Sequence, residues 1–216
     1  MNYIKSYCRI TPGQVLLNGE LYHEYSYNEF VIHDFLSSLY SRIGADYRKF
    51  YKMDALSKLG FLSSELLLSG FDKDTPKEDM GIILFNKSSS LDADAKYQKT
   101  IQNRNAFFPS PSDFVYTLPN IVIGEIAIRN KIHGETVFYV IPEFQEDMIC
   151  EIIEETLAFS GMNCLLAGWT EIDIFDNILN SMLLLCQKSE NDSLFRLTSE
   201  NINKLYTNQK NVKHYG

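Results

Sequence analysis

Carboxylates crowd one stretch of this chain and thiols are scattered along it, and these are the residues that could do chemistry. Glu143, Glu146, Asp147, Glu151, Glu154 and Glu155 lie close together. Such a set could pair as general acid and base or hold a divalent metal. On a helix, however, Glu143, Asp147, Glu151 and Glu154 or Glu155 stack along one side, and acids near a helix start complement its dipole. A solvated face is therefore the first reading of the run. The four cysteines, Cys8, Cys150, Cys164 and Cys186, have no CxxC spacing, so neither a zinc site nor a disulfide framework is implied and buried thiols in a reducing compartment are expected. None of His23, His33, His133 and His214 is spaced with a carboxylate or cysteine as a catalytic or metal pair would be, and all four read as surface polar residues. Ser88, Ser89 and Ser90 lack the glycine-flanked serine of a hydrolase elbow, and Gly13 and Gly81 belong to no phosphate-cradling pattern. No metal and no cofactor is expected.

The elements that must position these residues come from a chain of 216 residues, 45% hydrophobic and 13% aromatic, enough for one domain with a sizeable core over 1–216 and a frayed tail at 208–216. A net charge of -8 without clustered Lys and Arg argues against nucleic-acid binding. The start lacks the pattern of a signal peptide, and no apolar run reaches the roughly 18 residues that span a bilayer. A cytoplasmic protein is the expectation.

Strand character over residues 3–10 ends at the turn Thr11-Pro12-Gly13, and a polar tyrosine-rich segment over 19–28 leads to a short helix over 30–40. Apolar spacing of three and four over 51–69 predicts a helix with one buried face, capped by Gly70. Residues 80–85 read as a fully buried strand, followed by a polar loop over 86–90 and a polar helix over 92–104. Two prolines at 109 and 111 break the pattern before an amphipathic helix over 114–129, which ends in a basic turn over 130–134. A β-rich run over 136–141 precedes an amphipathic helix over 145–159 capped by Gly161, then an apolar strand from Cys164 closing on Gly168. The pattern continues over 172–175 and in a core strand over 181–187, and a surface helix is expected over 194–206. Strands alternating with helices predict an α/β fold with a sheet between helices.

Several of these pieces, in order, resemble the N-terminal half of the β-ketoacyl synthase family. Lys52-Met53-Asp54 with Ser57 resembles the family's helix start, and Met80-Gly81-Ile82-Ile83-Leu84 its second core strand. Pro119-Asn120 through Gly124-Glu125-Ile126-Ala127 resembles the helix before its glycine-containing turn. Gly134 and the run to Ile141 resemble the strand entering the nucleophile elbow, and Leu166-Ala167-Gly168 the strand after the elbow helix. Asn86 to Asp92, Ser110-Pro111-Ser112 and Tyr116 to Asn120 look most like ketosynthase-related proteins of aryl-polyene and flexirubin-type pathways.

The resemblance implies a thiolase-like fold, a mixed central sheet covered by helices, in which a cysteine at the elbow would take up an acyl chain. Here the elbow Val140-Ile141-Pro142-Glu143-Phe144-Gln145 contains no thiol, and the family's spacing places Glu143 at the degenerate nucleophile position. Cys150, two turns on, reads as a core thiol. The chain also stops near the end of the family's first half, before its histidines. The implied role is a non-catalytic partner, like the chain-length factors, in acyl-carrier-protein-dependent fatty acid or polyene biosynthesis. Its partner would be a ketosynthase subunit, an acyl carrier protein or both. The family dimerises around the elbow, so Phe114, Asn120, Arg129, Lys131 and Tyr139 are candidate interface residues and a homo- or heterodimer is expected to cover an apolar face that half a fold leaves open. Arg129 and Lys131 have a second reading as stabilising cations at a helix end, and Arg104 is a further basic candidate. Tyr22, Tyr25 and Tyr27 form either an interface or a partly buried loop. The competing functions are an active 3-oxoacyl synthase or acyltransferase whose missing residues come from a second chain, and a stand-alone binding domain.

Overall fold

The structure is a computed structural model that describes residues 1–26, 29–105 and 107–207. Tyr27 and the expected tail over 208–216, with His214, lie outside the described residues. Among the described residues, eight strands form one sheet. β1 (Tyr3–Thr11), β2 (Gln14–Leu17) and β3 (Glu20–Glu24) make an antiparallel meander. β4 (Met80–Asn86), β5 (Thr136–Val140) and β6 (Cys164–Asp173) are mutually parallel, and β7 (Ile178–Gln187) returns antiparallel to β6. The order is β3-β2-β1-β7-β6-β4-β5, with the short β8 (Phe195–Arg196) also on β1.

Helices cover both faces. On one side lie α1 (Ile32–Ile43), α2 (Ala55–Leu67) and α5 (Ile121–Asn130). On the other lie α6 (Glu146–Phe159) and α7 (Ser199–Thr207). α7 buries Ile202 and Leu205 against the second sheet face, while the edge of the sheet at β5 stays open and Leu118, Ile128 and Val140 remain exposed.

α2 is the central helix of its layer and departs from the expected one-sided pattern. All of its residues except Lys58 are buried, because it lies between the sheet and both α1 and α5. Gly60 lets α5 approach so closely that a Cβ there would lie 2.4 Å from Val122 Cγ2. Each fully buried Leu or Phe on α2 contributes about 1.5–3 kcal/mol through loss of apolar surface to water. The helix begins later than the spacing suggested: residues 48–52 form a separate 3-10 turn, and the Asp54 carboxylate caps α2 by accepting the Ser57 N–H at 3.1 Å. It ends at Leu68, whose N–H reaches Ser64 O, so Gly70 is not its cap. Gly161 does follow α6 at positive φ, as expected of a terminating glycine.

Three further elements differ from the sequence pattern. The segment before α1 holds a hairpin, turned at Asn18 and Gly19 with φ of 54° and 85°, the two positive values a type I′ turn needs. The helix expected over 114–129 is two, α4 (Pro111–Val115) and α5, separated around Pro119, while α3 (Leu91–Ile101) falls close to its expected place. β6 does not close on Gly168 but runs through it to Asp173. Gly168 sits there at φ 146°, and a Cβ would lie 2.1 Å from Met182 O on β7, so glycine is required inside the strand.

Candidate functional site

The carboxyl ends of β4, β5 and β6 lie side by side, the position where open parallel sheets gather ligand and catalytic groups. The loop after β4 is held from both sides. Asn86, fully buried, donates from Nδ2 to Ser89 O at 2.8 Å and accepts the Ser89 N–H at 3.1 Å, which supports Ser89 at φ 53°. Glu171, on β6 and 5% exposed, accepts the Lys87 N–H at 2.6 Å and the Ser88 N–H at 3.3 Å. A buried carboxylate is tolerated where backbone donors surround it. Asn86 O also accepts the Ile141 N–H at 2.8 Å, tying this loop to the elbow after β5.

The elbow is fixed by aromatic packing. Phe144 stacks on Tyr206 of α7 at 3.6 Å between ring centroids and meets Trp169 of β6 edge-on at 5.8 Å. Tyr206 accepts at its hydroxyl from Asn180 Nδ2, and its carbonyl accepts from Arg9 Nε at 3.0 Å. Arg9 is itself buried, bonded also to Asn180 Oδ1 and Ser181 O, and its guanidinium lies 5.0 Å from the Tyr206 ring centroid. Glu146, at the first turn of α6, accepts from Asn203 Nδ2 of α7 at 3.0 Å. Glu143 is exposed in the bend two residues before Gln145, the N-cap of α6, and no hydrogen bond or ion pair among the described residues involves it.

Burial raises the pKa of all four thiols. Cys150 is buried on α6, and burial first, then Glu154, pushes its thiol above the usual range, against a hydrogen bond from the Ser199 side chain. Burial likewise holds Cys8 and Cys164 up at about 12 and Cys186 well above the ordinary value. All four are free. Asp147, Glu151, Glu154 and Glu155 are exposed on α6, the solvated face expected, and the described residues contain no cluster of His, Cys, Asp and Glu able to hold a metal. Folding gives one histidine a carboxylate that spacing hid: His133 Nδ1 lies 2.9 Å from Glu78 Oε1, both exposed. His23 sits against Ser38, its pKa lowered by burial and by Arg42, and His33 is exposed.

The candidate interface residues do not form one patch of free groups. Phe114 is 54% exposed on α4 beside Tyr97, and Asn120 is exposed at the start of α5. Tyr139 turns inward from β5 and stacks on Phe85 at 5.1 Å. Arg129 and Lys131 have intramolecular partners. Arg129 binds the buried Glu65 through Nε and Nη2 and lies over the Tyr47 ring, and Glu65 takes Lys73 as well. Lys131, left-handed at the end of α5, donates to Asp74 O at 2.6 Å. Both residues stand at the end of α5. Arg104 and Tyr22 lie apart from these, in a loop and on β3. Beyond them, α5 and β5 enclose a groove of about 500 Å³ lined by Asn120, Ile123, Gly124, Ala127, Thr136 and Phe138. Among the described residues β5 pairs only with β4, so its outer edge is open.

Solved structures match this fold, although no family model and no curated protein matches the chain. The ishigamide ketosynthase/chain length factor aligns over 88% of this chain and 63% of its own, at 14% identity and a TM-score of 0.58. The fold is that of ketosynthase and chain length factor proteins. A ketosynthase (ApeO) in complex with its chain length factor (ApeC) from Xenorhabdus doucetiae aligns over 88% of this chain and 80% of that one, at 15% identity and a TM-score of 0.54. A β-ketoacyl synthase from Burkholderia phymatum aligns over 88% and 59%, at 12% and 0.52. The thiolase-like α/β expectation is borne out, and the chain spans 63% of the length of the ishigamide protein. Sequence reasoning missed Arg9, Glu171 and Tyr206, which hold the elbow and the neighbouring loop; Glu171 and Arg9 are charged residues inside apolar strand runs, the one signal that marks them.

Proposed function

We propose that this chain is a non-catalytic partner of a ketosynthase in acyl-carrier-protein-dependent, polyketide-type biosynthesis. The observation that carries the reading is the thiol-free elbow after β5, where Glu143 stands exposed and the nearest cysteine, Cys150, is buried with its thiol pKa raised by that burial. A carboxylate there has no sulfur with which to hold an acyl chain as a thioester, so the role proposed for this end of the sheet is binding. The open β5 edge and the α5 groove are the proposed contact, with Phe114 and Asn120 beside it and Leu118, Ile128 and Val140 supplying exposed apolar surface. Arg129 and Lys131 then act indirectly, by fixing the end of α5. The pairing of a ketosynthase with a chain length factor in the Xenorhabdus neighbour supports the same division of labour.

Capture of the tagged full chain from its native cell tests this, with bound proteins identified by mass and the complex sized by light scattering. A complete ketosynthase in defined stoichiometry is expected. A chain recovered alone, as a clean monomer or homodimer, contradicts the proposal and favours a stand-alone binding domain.

A further inference from the structure

A second feature at the carboxyl end of the sheet belongs to none of the contacts above. Between the 3-10 turn, the start of α2, and the α3–α4 pair lies a cleft of about 640 Å³, within the size range of small-molecule sites. Its polar lining is uneven for a chain of net charge -8: Lys52, Lys58, Lys96 and Lys99 face Asp54, Asp92 and Asp113, with His33 at the side. Two of the three carboxylates already have partners. Asp113 is paired with Lys96 at 2.5 Å, and Asp54 caps α2 through the Ser57 N–H. Among the described residues no ion pair or hydrogen bond uses the ammonium groups of Lys52, Lys58 or Lys99.

Lys58 is the distinctive member. It is the one residue of α2 that is not buried, yet it is half covered, with Nζ 5.5 Å from the Phe50 ring centroid. Burial is the main cause that lowers its pKa, with Lys96 adding to it, against Asp54 and Asp92. A partly desolvated ammonium without a hydrogen-bonded anion is costly and gains from one. The cleft is also lined by Met53, Ala55, Ala93 and Ile174, so its walls offer apolar contact beside the charge. Four lysines against three aspartates leave one net positive charge, which suits a monoanion better than a dianionic phosphate.

We infer that this cleft binds a small apolar monocarboxylate, its head held by Lys58 with Lys52 and Lys99 and its body against Met53, Ala93 and Ile174. This site is separate from the β5 edge and from the elbow, and although Asp113 and Tyr116 of its lining flank Phe114, its occupancy requires no second chain and its failure leaves the partner reading untouched.

The test is calorimetric titration of the full chain with octanoate, with octanol as the same body lacking the charge. Octanoate is expected to bind in the micromolar to millimolar range, to weaken with salt, and to bind roughly tenfold or more tightly than octanol. Lys58→Met is expected to weaken octanoate about tenfold, and exposed Lys99→Glu, which leaves the core untouched, by a similar factor. Lys188→Met, in a distant loop, should change nothing. Absence of octanoate binding at millimolar concentration, equal binding of octanol, or affinity unchanged in both Lys58→Met and Lys99→Glu overturns the proposal.

Discussion

The elbow after β5 and the cleft beside α2 lie at the same end of one sheet, yet their chemistry is opposite. The elbow is negative, with exposed Glu143 and the acidic start of α6, and it is held by the stack of Phe144 on Tyr206 and its edge-on contact with Trp169. The cleft gathers lysines from the 3-10 turn, α2 and α3. A rigid sheet end can therefore keep its geometry while the groups placed on it change, because the strands fix where the loops start and the loop residues decide what is offered. A change to the shared frame should damage both regions, and a change to one set of side chains only one.

The largest effect is expected from the frame. Gly168→Val places a side chain against Met182 O in a backbone conformation only glycine adopts readily, and should destabilise the chain by about 3 kcal/mol or more. Denaturant unfolding followed by circular dichroism checks this; an unchanged midpoint would mean that β6 and β7 can separate at no cost. Tyr206→Ala should separate the two regions. Loss of the Phe144 stack and of the contacts to Arg9 and Asn180 should cost about 2 kcal/mol. Amide exchange should quicken over residues 141–146 and stay as it was over 92–99.

Much of this frame was legible in the sequence, for particular reasons. β4 is an unbroken apolar run because parallel strands are buried on both faces, and α6 keeps the spacing of a half-exposed helix. The β2–β3 hairpin was not read, although Asn18 and Gly19 carry its turn signal, because two short strands at the sheet edge show no clean alternation. The break at Pro119 was hidden by apolar residues whose spacing continues across it. The bend after β5 was read through resemblance to a family, and the sequence places no cysteine in residues 140–145. The cleft was not legible. Its lysines come from separate elements and acquire a common surface only when α2 and α3 pack.

A smaller, pH-dependent contrast follows from the thiols. Burial raises the pKa of Cys150, so the thiolate is scarcer at neutral pH than in a free cysteine. Alkylation of the folded chain by iodoacetamide should be slow at neutrality and climb about tenfold per pH unit through the alkaline range, beyond the point where a free thiol levels off. A plateau already at neutral pH, lost in Cys150→Ala, would make the elbow helix a catalytic element. The smallest change is expected at the cleft rim, where Lys96→Ala removes an exposed pair with Asp113 and should cost about 0.5 kcal/mol by thermal unfolding.

The central claim is that the chain binds a ketosynthase and does not itself carry the acyl group. Native mass spectrometry of the chain with its cell's complete ketosynthase, after exposure to an acyl thioester, reads both properties at once. The predicted result is a complex of fixed stoichiometry with the acyl mass on the ketosynthase alone. An acyl mass on this chain, or two proteins that never associate, would contradict it.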